Sequence, residues 1–358
     1  MLQNLPDAPM WSAAPCALAA RFLMTAVMLI GAATSPVLSQ GATPRASAPP
    51  AAVAQVLWDT TGGPNLPFRD PFQLAIDPDG HLWVADGRNS RFQIFAPDGT
   101  FLEVWGTPGS GEGEFNFIDL LGNSSGAVTF DSVGNLFVAD SGNHRIQKFD
   151  VNRQFVTTWG HGGTDDGEFQ WTLGVASSPD GRIYVSDNGR RDIQVFDADG
   201  VFLMKFGGDG TGEEPILETY GGIVVDHDGT LLVANIDDRV QRFAPDGTLL
   251  AEWGSAGFRE GQFSTPYDVA VDGRGRVYVT DYNNHRVQVF AADGTFLATW
   301  GRHGAIPLGS PQPGEFNSPV GVAVDGDGNV YIGEFGNDRV QAFRLIGPLA
   351  PAISTPGA

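Results

Sequence analysis

The chain has 358 residues and carries 42 acidic against 21 basic side chains, a net charge of −21. That length suffices for one large domain with tails, and that charge leaves no broad basic face for nucleic acid, whose phosphates the surface would repel. The single cysteine, Cys16, stands near the N-terminus, so the rest of the chain has none with which to build a disulfide framework.

In chain order, residues 1–39 read as an export leader. Phe22–Ala33 (FLMTAVMLIGAA) is an apolar run following Arg21, short of the roughly 20 residues of a comfortable membrane span. Val37 and Ser39 lie beyond it and suggest cleavage near Ser39. The stretch before Arg21 is long for a leader, which makes Met10 a candidate start. The alternative is an uncleaved anchor, with the remainder of the chain held outside the cytoplasm. Residues 40–52 are a Pro/Ala-rich linker. The expected location is periplasmic or secreted.

The region 53–345 repeats one phrase six times. Ala127–Phe149 reads AVTFDSVGNLFVADSGNHRIQKF, Asp268–Phe290 reads DVAVDGRGRVYVTDYNNHRVQVF and Gly321–Phe343 reads GVAVDGDGNVYIGEFGNDRVQAF, with related copies starting near Leu74, Gly174 and Gly222. Each copy parses into four short strands: an apolar first strand, a turn such as Asp77–Gly80, two alternating strands, a second Asp-Gly turn, and a fourth strand ending in Trp-Gly. The acids that end the second strands are Asp86, Asp140, Asp187, Asp281 and Glu334, with Asn235 in the fourth copy, at spacings of 54, 47, 48, 46 and 53 residues. Four-stranded units repeated in this way predict an all-β, six-bladed β-propeller with the most apolar strand innermost. Fourth strands end at Trp105, Trp159, Phe206, Trp253 and Trp300, but the sixth copy lacks one. Ala52–Trp58 (AVAQVLW) is therefore expected to serve as the outer strand of the last blade, closing the ring. Residues 346–358 are expected to be a disordered tail.

The turn Asn143-His144-Arg145-Ile146, its copy Asn284-His285-Arg286-Val287, and the Gly-Glu-Phe loops at Gly167–Phe169 and Gly314–Phe316 resemble the NHL repeat. The resemblance spans roughly residues 53–345 and implies the propeller fold. It is unspecific for function, because propellers host unrelated activities.

His144 and His285 are expected to be turn residues, since Ser90, Arg191 and Asp338 take the same slot in other blades. The second-strand carboxylates invite a cation-site reading, but Arg91, Arg145, Arg286 and Arg339 follow five residues on, so turn-fixing contacts are the plainer one. Blade three departs with Asp192 in the Arg slot, and blade four with Asn235 and a turn one residue shorter. Asp325-Gly-Asp327-Gly-Asn329 imitates a calcium loop but has Gly336 where Glu is required. Gly109-Ser-Gly111-Glu-Gly113 imitates a phosphate loop without its Lys.

The resembled family includes the peptidyl-α-hydroxyglycine α-amidating lyase, which implies a zinc held by three histidines pointing into the central channel, some of them from the starts of inner strands. Here those starts read Phe72-Gln73, Gly126-Ala127, Leu173-Gly174, Gly221-Gly222, Tyr267-Asp268 and Val320-Gly321, without histidine and with only Gln73 and Asp268 polar. No metal ligand, catalytic residue or cofactor is assigned.

The loop face remains. It carries Arg88, Trp171, Arg190, Arg191, Tyr220, Arg259, Tyr267 and Arg302 as candidate binding residues, with Phe68, Phe258 and His303 beside them. Aromatics and arginine are enriched at interaction hot spots. The expected function is a monomeric binding module for a protein, peptide or glycan of the cell envelope, meeting a membrane only through an uncleaved leader. The alternative is a metal-dependent enzyme of the amidating-lyase or lactonase type.

Overall fold

The structure, a computed structural model, describes residues 52–118, 122–208, 219, 222–304, 311–347 and 349. The expected leader, nearly all of the linker, most of the C-terminal tail, and Tyr220 lie outside the described residues. Among those described, no helix is long and apolar enough to cross a membrane.

Six four-stranded antiparallel sheets follow one another along the chain. Blade one consists of Pro71–Ile76, Leu82–Asp86, Arg91–Phe95 and Phe101–Trp105. Blades two to five repeat the plan in register, each with one irregularity where the third strand meets the outer one. Blade six takes three strands from the C-terminal end, Pro319–Val324, Asn329–Glu334 and Arg339–Ile346, and its fourth from the N-terminal side, Val53–Thr60. The closing strand is two residues longer at its end than the sequence suggested. It pairs from Val53↔Ile346 to Thr60↔Val340, with a register shift between Val56 and Trp58. Trp58 leans on Tyr331 of its own blade and donates from Nε1 to the carbonyl of Pro97 in blade one. The seam between the first and last blades is thus covered, and Arg339–Ile346 is paired on both sides.

The Gly-Glu-Phe loops, and Gly261-Gln262-Phe263 in the same place, are core elements. Phe115, Phe169, Phe263 and Phe316 are fully buried and meet Phe149, Phe196, Phe290 and Phe343 of the third strands at ring distances of 5.6–6.2 Å. Burying one such ring stabilises by roughly 2–3 kcal/mol. Phe68 is the blade-one counterpart, packed on Phe95 at 5.8 Å. The sequence-based placement of Phe68 on the open face is therefore corrected: its ring lies inside. The Trp-Gly and Asp-Gly signatures meet across blades. A Cβ on Gly99 would stand 2.7 Å from Trp58, and one on Gly200 would stand 2.5 Å from Trp159. Both glycines also have positive φ, so sterics and backbone demand the same residue.

The second-strand acids are clasps, each consumed within its own blade. Asp140 is fully buried. It accepts from Asn116 N–H at 2.7 Å, from Asn143 Nδ2, from Arg145 Nε at 2.7 Å and from Gln147 Nε2 at 3.0 Å. Asp86 and Asp281 gather the same set of donors, and Glu334 reproduces it with a longer side chain. Burial pushes the carboxyls of Asp140, Asp281 and Glu334 above the ordinary range, and the donors pull back. The clasp folds the turn between second and third strands, whose last residue is left-handed: Ser90, His144, Arg191, His285 and Asp338 have φ of 47–61°.

Candidate binding site at the channel mouth

The inner strands enclose a central channel with a cavity of about 270 Å³, whose wall is largely Val, Ala and Ile with Gln73, Thr129, Ser177 and Asp268 as polar members. At one end lies a second cavity of about 300 Å³, lined by Phe72, Arg88, Asn123, Ser124, Trp171, Leu173, Tyr267, Tyr282 and Phe335. Its walls come from two kinds of segment. Phe72, Leu173 and Tyr267 sit at the starts of inner strands. Arg88, Tyr282 and Phe335 sit in the turns fixed by the carboxylate clasps. The two sets share one face because every second strand runs back toward the start of its inner strand, as Asp86 pairs with Pro71 and Asp281 with Pro266.

Three of the predicted residues, Arg88, Trp171 and Tyr267, converge on this cavity. Tyr267 stacks on Tyr282 at 5.3 Å and meets Phe72 edge-on at 5.6 Å. Arg88 donates from Nε to Asp70, which also accepts from Ser124 Oγ at 3.1 Å. The remaining candidates lie elsewhere. Arg190 is corrected: its side chain is only 6% exposed, bonded to Asp192 at 3.0 Å and to the carbonyl of Asp165. Blade three has moved its arginine from the fifth position after the clasp acid to the third, and placed an acid where the arginine stood. Arg190 is therefore a packing residue. Arg191 takes the left-handed turn slot, and its N–H donates to the carbonyl of Asp187. Arg259 is exposed, as is Phe258, and Arg302 is largely exposed beside Glu315. None of these lines the mouth cavity.

Tyr282, Phe335 and Phe72 were missed. A signal existed: the residue after the clasp acid is Gly87, Ser141, Asn188 and Ile236 in blades one to four but Tyr282 and Phe335 in blades five and six. Asp268, one residue beyond Tyr267, lines the channel. It accepts from the N–H groups of Val269 and of Val322 in blade six, both at 2.9 Å, and burial pushes its pKa up to about 7 against those two bonds.

The other suggestive motifs close on themselves. Asp325 accepts from the backbone of Asp327 and Asn329, from Asn329 Nδ2 and from the Tyr331 hydroxyl, which makes an ordinary hairpin turn. The N–H groups of Ser110 and Gly111 point at the carboxylate of Glu114. His285 accepts at Nδ1 from Ser318 N–H and lies 4.2 Å from the ring of His303. Among the described residues, no three His, Cys, Asp or Glu side chains are grouped as metal ligands.

A family model described as the NHL repeat matches residues 68–95, 126–149, 263–290 and 316–343. The chain is an NHL-repeat β-propeller. The matched segments belong to blades one, two, five and six. The two unmatched blades of this NHL propeller are those whose clasps are altered: Arg190–Asp192 in blade three, and Asn235 in blade four, where Asn235 Nδ2 donates to Gln241 Oε1. Mouse NHL repeat-containing protein 3 is 32% identical over 125 residues, 34% of this chain and 33% of that protein. The chain thus matches about a third of the length of that relative. Peptidyl-glycine alpha-amidating monooxygenase B of Xenopus laevis is 36% identical over 94 residues, 25% of this chain and 10% of that one. Virginiamycin B lyase from Staphylococcus aureus superposes with a TM-score of 0.51 at 13% identity, covering 77% of this chain and 80% of that one, a likeness of fold.

Proposed function

We propose that this protein is an exported binding module that seats part of a protein, peptide or glycan of the cell envelope in the aromatic mouth of its propeller. The observation that carries the reading is the convergence of Phe72, Trp171, Tyr267, Tyr282 and Phe335, from four blades, on one cavity of about 300 Å³. Aromatic side chains offer large contact area at little conformational cost, and here they are carried on a closed ring of blades. The module acts as a monomer. Arg191, Arg259 and Arg302 stand as further contacts for a ligand that extends beyond the mouth.

The test uses the full chain on peptide and glycan arrays, with Trp171→Ala and Tyr267→Ala in parallel. A ligand retained by the wild type and lost by at least tenfold in both variants, with unchanged melting, supports the reading. Binding unchanged in both variants, or no array ligand at all, overturns it. The stretch of similarity to the Xenopus monooxygenase favours a second reading, an enzyme of the amidating-lyase type. Turnover of a hydroxyglycine-extended peptide by the full chain supplied with zinc would establish that reading instead.

A further inference from the structure

We infer that the group recognised at the mouth is an organic ammonium, held by cation–π contact with the aromatic lining and by a surplus of carboxylate around it. This rests on the mouth being a binding site and names the chemistry of what enters.

Size comes first. A cavity of about 300 Å³ is at the lower end of the range for small-molecule pockets. It suits a compact head group better than an oligosaccharide chain. The described lining supplies five aromatic rings, and a cation within about 6 Å of an aromatic face is attracted to it, the more so as water is excluded.

Charge decides the sign of the ligand. Among the described lining residues the charged one is Arg88, and its guanidinium is already engaged by Asp70. Asp70 in turn donates its N–H to Asp338 Oδ1 at 2.8 Å. The Asp338 carboxyl is raised first by burial and further by the neighbouring carboxylates Asp70 and Asp86, while Asp70 N–H and Arg69 pull the other way. In the channel wall, one residue beyond Tyr267, Asp268 is held by two backbone N–H groups, with no cationic side chain among its described partners. Asp70 and Asp338 therefore offset Arg88 and Arg69, and Asp268, partly ionised near neutral pH, adds negative charge beyond that balance, in a chain of net charge −21. An anionic ligand would meet this field with repulsion, and a cationic one would be steered toward it.

The experiment titrates the full chain with choline, with its neutral isostere 3,3-dimethylbutan-1-ol, and with an acetylated, amidated peptide containing one lysine, read by calorimetry. The inference expects choline or the lysine peptide to bind at least tenfold more tightly than the isostere. That binding should fall at least tenfold in Trp171→Ala and in Tyr282→Phe/Trp171→Ala, and fall by a smaller factor in Asp268→Asn. Choline alone points to a free small ligand, and the peptide alone to an amine displayed on a chain. Equal binding of the isostere overturns the ammonium inference and leaves an apolar mouth. No binding of any of the three also overturns it, while the array result above still decides independently whether the mouth is a site.

Discussion

Asp268 of blade five accepts a 2.9 Å hydrogen bond from the backbone N–H of Val322 in blade six. The same residue's N–H donates to Thr280 Oγ1, which donates in turn to the carbonyl of Val320. A carboxyl inside the ring thus ties two inner strands together, and burial holds its pKa at about 7.

That elevation makes stability depend on pH. A carboxyl that binds its proton more tightly when folded adds stability that is full below the unfolded value near 4 and is lost as pH rises through 7. Between pH 5.5 and 8 the loss is on the order of 2 kcal/mol. The lowered pKa of His285 acts in the opposite sense below its ordinary value of 6.5, so the comparison must be with Asp268→Asn. Urea midpoints at the two pH values are expected to differ more in the wild type than in the variant. Parallel pH profiles would show that Asp268 is not the group.

Tyr184 is buried, and its hydroxyl has no acceptor among the described residues. Its counterparts Tyr278 and Tyr331 donate to Asp272 and Asp325 at 3.1 and 2.7 Å, but blade three has Ser178 in that turn. Ser178→Asp is expected to stabilise by about 1 kcal/mol, the usual net worth of a hydrogen bond. In a double-mutant cycle with Tyr184→Phe the gain should vanish. A gain that persists without the hydroxyl would have another origin.

Arg190 and Arg259 separate packing from surface. Removing Arg190 leaves the buried carboxylate of Asp192 without its cation, so Arg190→Ala should cost about 3 kcal/mol. Arg259 is exposed, and Arg259→Ala should change stability by less than about 0.5 kcal/mol. Thermal melts of both variants check the pair. An Arg190→Ala protein as stable as the wild type would return that residue to the binding face.

Deleting residues up to Thr60 removes the partner of Arg339–Ile346 and leaves an unpaired strand at the edge of blade six. Self-association that rises with concentration is expected by size-exclusion chromatography. A monomer with unchanged melting would mean that the closing strand adds nothing to the ring.

The six-fold phrase determined the blades, their turns and the closing strand by itself. Four-residue turns and alternating strands are local devices, and residues a few positions apart, such as Asp140 and Arg145, meet whenever the hairpin forms. Even the altered clasps of blades three and four were legible from which residues broke the phrase. The mouth was only half legible. Arg88, Trp171 and Tyr267 stood out, yet which of eight candidates share a cavity depends on how six blades close around an axis. Phe72, Trp171, Tyr282 and Phe335 are far apart in the chain and meet only across it. Arg190 looked like surface because a charged residue in a turn usually is, and only packing against Asp192 drew it inside. Phe68 looked like loop because it precedes the first inner strand, and the tertiary structure buries its ring against Phe95.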